Sequence, residues 1–277
     1  MTIFEARKEG TNILESSYEA DLLLAHTLNV SKVFLLSNSK TELSHKDIKQ
    51  FKEFVQRRRN NEPLQYILGY VYFMNIKVNV DNAVLIPRQD TETLVELAKE
   101  LILKDKKKNL NILDMCTGSG CIAVSIMHDF KDIKNINMYA ADISEDALIV
   151  AKKNAELNNV NNITFIKSDY FSNIPNITFD YILSNPPYIK TKEIDTLEPQ
   201  VKNFEPVIAL DGGNDGFDAY RKIISQSKNF LSGSLLLEAG IHQAEQIAII
   251  MKEQGFQNIY SKKDLNNIDR VVHGIMK

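Results

Sequence analysis

The chain has 277 residues, 44% hydrophobic and 25% charged, with a formal net charge of −3. That length can bury a sizeable core in one or two domains, and the charge leaves no footprint for wrapping bare nucleic acid. No run approaches the roughly 18 apolar residues of a membrane span. Met1 to Gly10 lacks an apolar signal core, and the two cysteines, Cys116 and Cys121, lack the paired spacing of a zinc site; the expectation is a cytoplasmic protein without membrane, disulfide or metal.

The first 70 or so residues read as helices only. Tyr18 to Leu28 carries an apolar face, and Ser31 can cap a short helix holding Val33, Phe34 and Leu35. Ser44, with Asp47 three residues on, opens a stripe of Ile48, Phe51, Phe54 and Val55. Helix following helix with no strand between predicts a small bundle. Tyr70 to Val80 changes to strand formers around a turn at Met74-Asn75, a hairpin linking two domains. Leu85-Ile86-Pro87-Arg88 then leads into a helix from about Thr91, capped by Asp90 or Thr91.

From Leu110 strands are expected over Asn111 to Asp114, Asn137 to Asp142, Ile163 to Lys167, Tyr181 to Ser184, Ser234 to Glu238, Gln257 to Ser261 and Arg270 to Met276. Helices are expected in the first four gaps, which is the pattern of a doubly wound α/β sheet. The short loop between the last two strands requires an antiparallel pair.

Asn111-Ile112-Leu113-Asp114-Met115-Cys116-Thr117-Gly118-Ser119-Gly120 runs from the first of these strands into a helix. Gly118 and Gly120 let the backbone turn sharply and approach a ligand. Asp142, ending the second strand, is placed to bind both hydroxyls of a ribose. An adenosine-bearing cofactor follows. Gly118, Gly120 and Ala123 also satisfy a dinucleotide pattern. Asp114, however, places a negative charge beside the loop, which suits the cationic methionine end of S-adenosylmethionine better than a pyrophosphate.

Asn185-Pro186-Pro187-Tyr188 follows the fourth strand, the neighbour of the first where strand order reverses. Asn185 should therefore face the glycine loop across the crevice. The double proline fixes two φ angles and removes two donors. The Asn185 side-chain oxygen and the Pro186 carbonyl then offer two acceptors to one NH2 group, with Tyr188 as a flat wall beside it. An amide nitrogen is a poor nucleophile. Accepting both its N–H bonds orients it and stabilises the charge that develops as it attacks a methyl group. Asn185→Asp should keep activity if the pocket needs only an acceptor, and be as poor as Ala if the Asn185 amide donates elsewhere.

These stretches resemble the HemK/PrmC family of protein-(glutamine-N5) methyltransferases nearly end to end. The resemblance is carried by Glu62 to Gly69, Leu85 to Arg88 with Asp90 to Glu92, the glycine loop, Ala141-Asp142, Ser168 to Ser172, Asn185 to Ile189, Glu205-Pro206, Ala209 to Gly213, Leu237-Glu238 and Asp269 to Val272. It implies a seven-stranded Rossmann-like methyltransferase sheet with an antiparallel last strand over 85–277, a helical substrate-recognition domain over 1–70 and a hairpin linker over 71–84. The implied cofactor is S-adenosylmethionine, bound by Asp114, Cys116, Thr117, Gly118, Ser119, Gly120, Asp142, Tyr170 and Asn185. Asn185, Pro186 and Tyr188 would be catalytic, with Pro187 and Arg88 added on the substrate side. The implied partner is a peptide release factor, methylated at the glutamine of its Gly-Gly-Gln loop by a monomeric enzyme with no nucleic-acid substrate. Cys116 stands where the family usually has glycine, Tyr170 where many members have Trp, and Gln89 where Pro is usual.

Two features stay open at this level. Arg57-Arg58-Arg59 is a solvated helix end or a grip on a partner. Asp211 to Gly216 is a flexible turn or an ordered loop near the site. The competing function is an adenine-N6 or guanine-N2 methyltransferase, because N-P-P-Y accepts any planar NH2. A nicotinamide-binding protein and a binding module without catalysis are more distant readings.

Overall fold

The computed structural model describes residues 1–131, 133 and 135–277, which form two units. The first comprises Met1–Tyr70 together with Glu198–Phe204; the second comprises Val71–Leu197 and Glu205–Lys277.

The first unit opens with α1 (Ile3–Leu14), started by a reciprocal box in which Thr2 accepts from the Glu5 amide and Glu5 from the Thr2 amide. The helices α2 (Ser17–Leu28), α3 (Lys32–Ser37) and α4 (His45–Arg59) each begin at a serine that accepts from the amide three residues on. A short α5 (Leu64–Leu68) closes the series at Gly69, whose φ of 78° is the left-handed stop glycine supplies. Their apolar stripes meet in a core of Ile3, Leu23, Leu24, Leu35, Phe51 and Phe54. Gly10 permits the close approach of α1 to α4, since a Cβ there would lie 2.8 Å from the Phe51 ring. Arg57 forms a two-bonded pair with Glu62, and Arg58 another with Glu19, so two of the three arginines brace this unit; Arg59 is exposed.

The second unit begins with a hairpin of β1 (Tyr70–Phe73) and β2 (Ile76–Asn79) around Met74, which lies in the left-handed region. Asn79 exchanges both of its backbone bonds with the side chain of buried Asn154. Gln89–Thr91 forms a 3-10 turn before α6 (Glu92–Lys104). Thr91 is itself helical in backbone and makes no cap bond, so neither Asp90 nor Thr91 caps this helix. Asp90 instead pairs with Arg270 at 3.1 Å.

The sheet contains β3 (Asn109–Met115), β4 (Asn135–Asp142), β5 (Ile163–Lys167), β6 (Phe179–Ser184), β7 (Leu231–Glu238), β8 (Gln257–Lys263) and β9 (Asp269–Met276), in the order β5-β4-β3-β6-β7-β9-β8. Strands β3 to β7 run parallel, and β9 is antiparallel to both neighbours. This is the Rossmann-like methyltransferase arrangement, with the order reversing between β3 and β6. Helices α7 (Cys121–Phe130) and α8 (Glu145–Leu157) fill the first two gaps as expected. The third gap, 168–178, holds turns and no helix; Pro175 and the left-handed Tyr170 interrupt it. In the fourth gap lie two 3-10 turns, the four-residue α9 (Pro199–Lys202) and α10 (Asp218–Ser227). A further helix, α11 (Ala244–Glu253), occupies the fifth gap, where none was expected.

Candidate active site

The peptide after β3 is shaped by three left-handed residues, Cys116, Gly118 and Gly120, with φ of 61°, 53° and 79°. Gly120 leads into α7, and a Cβ there would meet that of Ala151 at 3.0 Å, so only glycine lets α8 approach. Asp114 takes the Thr117 hydroxyl at 2.5 Å and the Ala123 amide at 3.3 Å on one oxygen. Its other oxygen has no partner, and burial above all pushes the carboxyl up to about 7. Asp114 therefore braces the loop from beneath and is not among the residues lining the cavity. Cys116 is half-buried in front of it, and desolvation raises its thiol pKa. Cys121, at the first turn of α7, is buried and borders the same cavity.

Asp142 ends β4 facing this loop. One oxygen accepts the Gly118 amide at 2.8 Å and the other the Ser144 amide at 2.9 Å. Burial raises its pKa, partly offset by those backbone donors. Each oxygen keeps one acceptor direction for a ligand hydroxyl.

A cavity of about 560 Å³ opens in front of these groups. Its walls include Cys116, Thr117, Gly118, Ser119, Asp142 and Tyr170 on one side and Arg88, Thr91, Asn185 and Pro187 on the other. The residues present fit an adenosine-bearing methyl donor. A Cβ built on Gly118 meets nothing within 4 Å, so this backbone is open to a ligand. Asp142 presents paired acceptors, and the Tyr170 ring, covered by the Lys222 ammonium at 5.0 Å, offers a flat surface. The volume is that of ordinary cofactor sites.

The opposite wall is built at the end of β6. The Ser184 hydroxyl donates to the Met115 carbonyl at 2.6 Å and joins the two strand ends. The Asn185 side-chain nitrogen donates to the Thr91 hydroxyl at 3.1 Å. Behind Thr91 lies Glu238, the buried last residue of β7. Desolvation pushes Glu238 up to about 7, while the Thr91 hydroxyl and the charge of Arg270 act to hold it down. Arg88 is held by Glu205 at 2.5 Å, and buried Glu205 also accepts from the Ile86 amide. That contact anchors Val207 to Ala209, which line the rim.

Pro186 and Tyr188 are not among the lining residues. Tyr188 is packed between Gly212 and Gly240, its carbonyl accepts from Gln243, and burial pushes its phenol up to about 12. Asp211–Gly213 is an ordered support: Gly212 donates to the Ile189 carbonyl at 2.7 Å, and Ile189 donates to Leu210. A Cβ on Gly212 would lie 2.7 Å from the Tyr188 backbone, so glycine is required where this loop lies against N-P-P-Y. Sequence reasoning missed Thr91, Glu205 and Glu238 as site residues. The available signal was an acid closing an apolar strand, Leu235 to Glu238, in the same position as Asp142 on β4.

Among the described residues no helix is long and apolar enough to cross a membrane, and no three His, Cys, Asp or Glu side chains are placed to hold a metal. The sheet and its crevice define the class, an S-adenosylmethionine-dependent methyltransferase of Rossmann-like fold. A family profile described as the PrmC N-terminal domain matches residues 5–69, and one described as the methyltransferase small domain matches residues 91–202. The release factor glutamine methyltransferase of Thermodesulfovibrio yellowstonii is 41% identical over 256 residues, 92% of this chain and 90% of that protein. The protein of the same name from Clostridium acetobutylicum is 38% identical, covering 92% and 89%. A methyltransferase crystal structure from Pyrococcus furiosus shares the fold with a TM-score of 0.52 at 17% identity, over 73% of this chain and 90% of that one. The chain belongs to the release factor glutamine methyltransferase family.

Proposed function

We propose that this protein transfers a methyl group to the side-chain amide nitrogen of the glutamine in the Gly-Gly-Gln loop of peptide release factors. The observation that carries this reading is the Asn185 amide. Its nitrogen is committed to Thr91, which leaves its oxygen as the acceptor for a target N–H at the cavity wall. Bound S-adenosylmethionine supplies an electrophilic methyl group on a positively charged sulfur. Thr117 to Ser119, Asp142 and Tyr170 hold it, Asp142 through the two ribose hydroxyls, while Asp114 and Cys116 shape the loop; Gly120, expected as a cofactor contact, lies off the cavity wall and serves the turn into α7. Asn185 orients the planar amide and stabilises the positive charge that grows on nitrogen as it attacks; the Pro186 carbonyl, expected as the second acceptor, lies off the cavity wall. No strong base is needed first, because the methylated nitrogen is acidic. Pro187 and Arg88 bound the substrate side. Tyr188 contributes by fixing the loop from behind.

Residues 1–70 recognise the release factor, and residues 85–277 carry the cofactor and the chemistry, joined through 71–84. The enzyme acts as a cytoplasmic monomer on protein and not on nucleic acid, in keeping with its net charge of −3. The deciding experiment is mass spectrometry after incubation with S-adenosylmethionine, a release factor and total RNA. A methyl mass shift on the Gly-Gly-Gln peptide is expected. Methylated adenine or guanine with an unmodified peptide would reject the reading in favour of a base methyltransferase.

A further inference from the structure

Ala151, Asn154 and Asn158 follow one another along α8 at spacings of three and four, the repeat of one helical face. Ala151 meets the glycine loop at Gly120, where a Cβ would approach it to 3.0 Å. Asn154, one turn on, is 0% exposed and reaches in two directions. Its side-chain nitrogen donates to the Ser119 carbonyl at 2.9 Å and to the Asn79 carbonyl at 3.0 Å. Its oxygen accepts the Asn79 amide at 2.7 Å. Both amide hydrogens and the oxygen are thus in use, and the two carbonyls fix which way the amide faces.

Asn158 repeats half of this arrangement. It donates to the Lys77 carbonyl at 2.8 Å and accepts the Lys77 amide at 3.3 Å, while its other bond goes to the Asn154 carbonyl and not to the glycine loop. Lys77 and Asn79 stand two residues apart on β2, so these backbone groups face one edge. Two asparagines take the place of a neighbouring strand there, and one of them also ties the edge to the cofactor loop. The tie acts on the Ser119 peptide, which is 3% exposed at its side chain's residue. Its carbonyl is held by Asn154, and the Gly120 amide of the same peptide unit donates to the Thr117 carbonyl at 2.8 Å. The unit is fixed from both ends, and with it the turn that carries Thr117, Gly118 and Ser119 along the cavity.

We propose that Asn154 is a positioning residue that ties β2 of the hairpin to the cofactor loop, so that S-adenosylmethionine binding and the order of this strand edge are coupled. Asn154 is not among the residues lining the cavity, nor is any residue of β2; the effect passes through Ser119. The coupling is reciprocal: the factor by which the tie strengthens cofactor binding is the factor by which the cofactor strengthens the tie. The inference rests on the reading of Thr117 to Ser119 as the seat of the cofactor.

The test uses the full-length protein. It reads S-adenosylmethionine affinity by titration calorimetry and amide hydrogen exchange with and without saturating cofactor. Asn154→Asp keeps an acceptor for the Asn79 amide and removes both donors. It should weaken the cofactor about 10-fold, the loss of one buried hydrogen bond. Methylation at saturating cofactor should stay within about twofold of wild type, because the tie serves binding and not the chemical step. By reciprocity, cofactor should slow exchange of the wild-type Asn79 amide about 10-fold more than exchange in β8, at the far edge of the sheet. That extra protection should vanish in Asn154→Asp. Asn158→Ala breaks the pairing with Lys77 and leaves the Ser119 bond in place, so cofactor affinity should stay within about twofold of wild type. Equal losses of affinity in Asn154→Asp and Asn158→Ala would reduce Asn154 to a support of helix and hairpin, and overturn the coupling. So would wild-type affinity in Asn154→Asp, or equal protection of Asn79 and β8 in the wild type. The last of these needs no variant and decides the matter where Asn154→Asp does not fold. Unchanged affinity in Asp142→Ala marks a different failure, that of the cofactor site itself.

Discussion

The two walls of the cavity are held in different ways. On the glycine-loop side the contacts are near in sequence: Thr117 bonds to Asp114 three residues back, and Gly118 to Asp142 at a separation of 24. Most of the donors there are backbone amides, whose direction is set once the chain turns. On the Asn185 side the decisive contact spans 94 residues, to Thr91, and Gly212 in another loop backs the N-P-P-Y turn. There the donors are side chains, and each needs a partner to fix its direction. A wall built from backbone tolerates side-chain change where the turn is kept; a wall built from side chains does not.

That difference can be broken most visibly at Asn185. Asn185→Asp keeps an oxygen toward the substrate but removes the N–H given to Thr91. It also sets a carboxylate against the buried Thr91 hydroxyl. The rate should fall about 10²–10³-fold, the scale of losing one preorganised polar group at a reacting centre, and so lie close to that of Asn185→Ala. Single-turnover kinetics would measure it; an Asp variant near the wild-type rate would mean that the donated N–H is dispensable. A smaller effect is expected at Asp142, whose oxygens already hold two backbone amides. Asp142→Ala should weaken S-adenosylmethionine by about 1.5–3 kcal/mol, read by titration calorimetry. Unchanged affinity in the folded variant would remove Asp142 from the cofactor site.

The smallest effect should come from the backbone of the loop. Cys116 holds a left-handed φ of 61°, which costs a non-glycine residue about 1–2 kcal/mol. Cys116→Gly relieves this but restores about 0.5–1 kcal/mol of chain entropy to the unfolded state and loses the packing of the thiol. Thermal stability should therefore shift by no more than about 1 kcal/mol, with cofactor affinity preserved. Cys116→Val, branched at Cβ, should lower the melting temperature clearly. If Val is tolerated as well as Gly, the conformation of the loop is not what Cys116 strains.

The same contrast explains what could be read from the residues alone. The glycine loop, Asp142 and the strands up to Asp142 and Ser184 declare themselves because the apolar runs and turn residues that define them are contiguous. β3 and β4 each start two residues before the apolar pattern does. β3 and β4 begin in a polar ladder, Asn135 to Asn109 and Asn137 to Asn111, which no apolar pattern marks. Helix α1 falls within the all-helical stretch but has no bounds legible in the residues, because its opening signal, Thr2 with Glu5, sits in a charged stretch. Its neighbours make Thr91 look like a helix cap; its hydroxyl meets the Asn185 side chain, just past the end of β6, a contact no local pattern contains. Its place in the motif makes Tyr188 a wall of the pocket, but Gly212 and Gly240 leave room for it to turn toward the core. Asp114 likewise sits beneath the loop it was expected to flank.

The first unit takes its last helix, α9, from residues 198–204, with the Arg58 guanidinium reaching Gln200 at 3.5 Å. A ribosome makes the chain from its amino end, and domains tend to fold as they emerge. Here the bundle core lies within residues 1–70, but Glu198–Phe204 joins it only after β3 to β6 have been synthesised. The unit that begins first thus receives its last segment only after most of the parallel sheet has left the ribosome. A chain beginning near Asn75 would in turn carry α9 without Arg58 and the rest of its bundle.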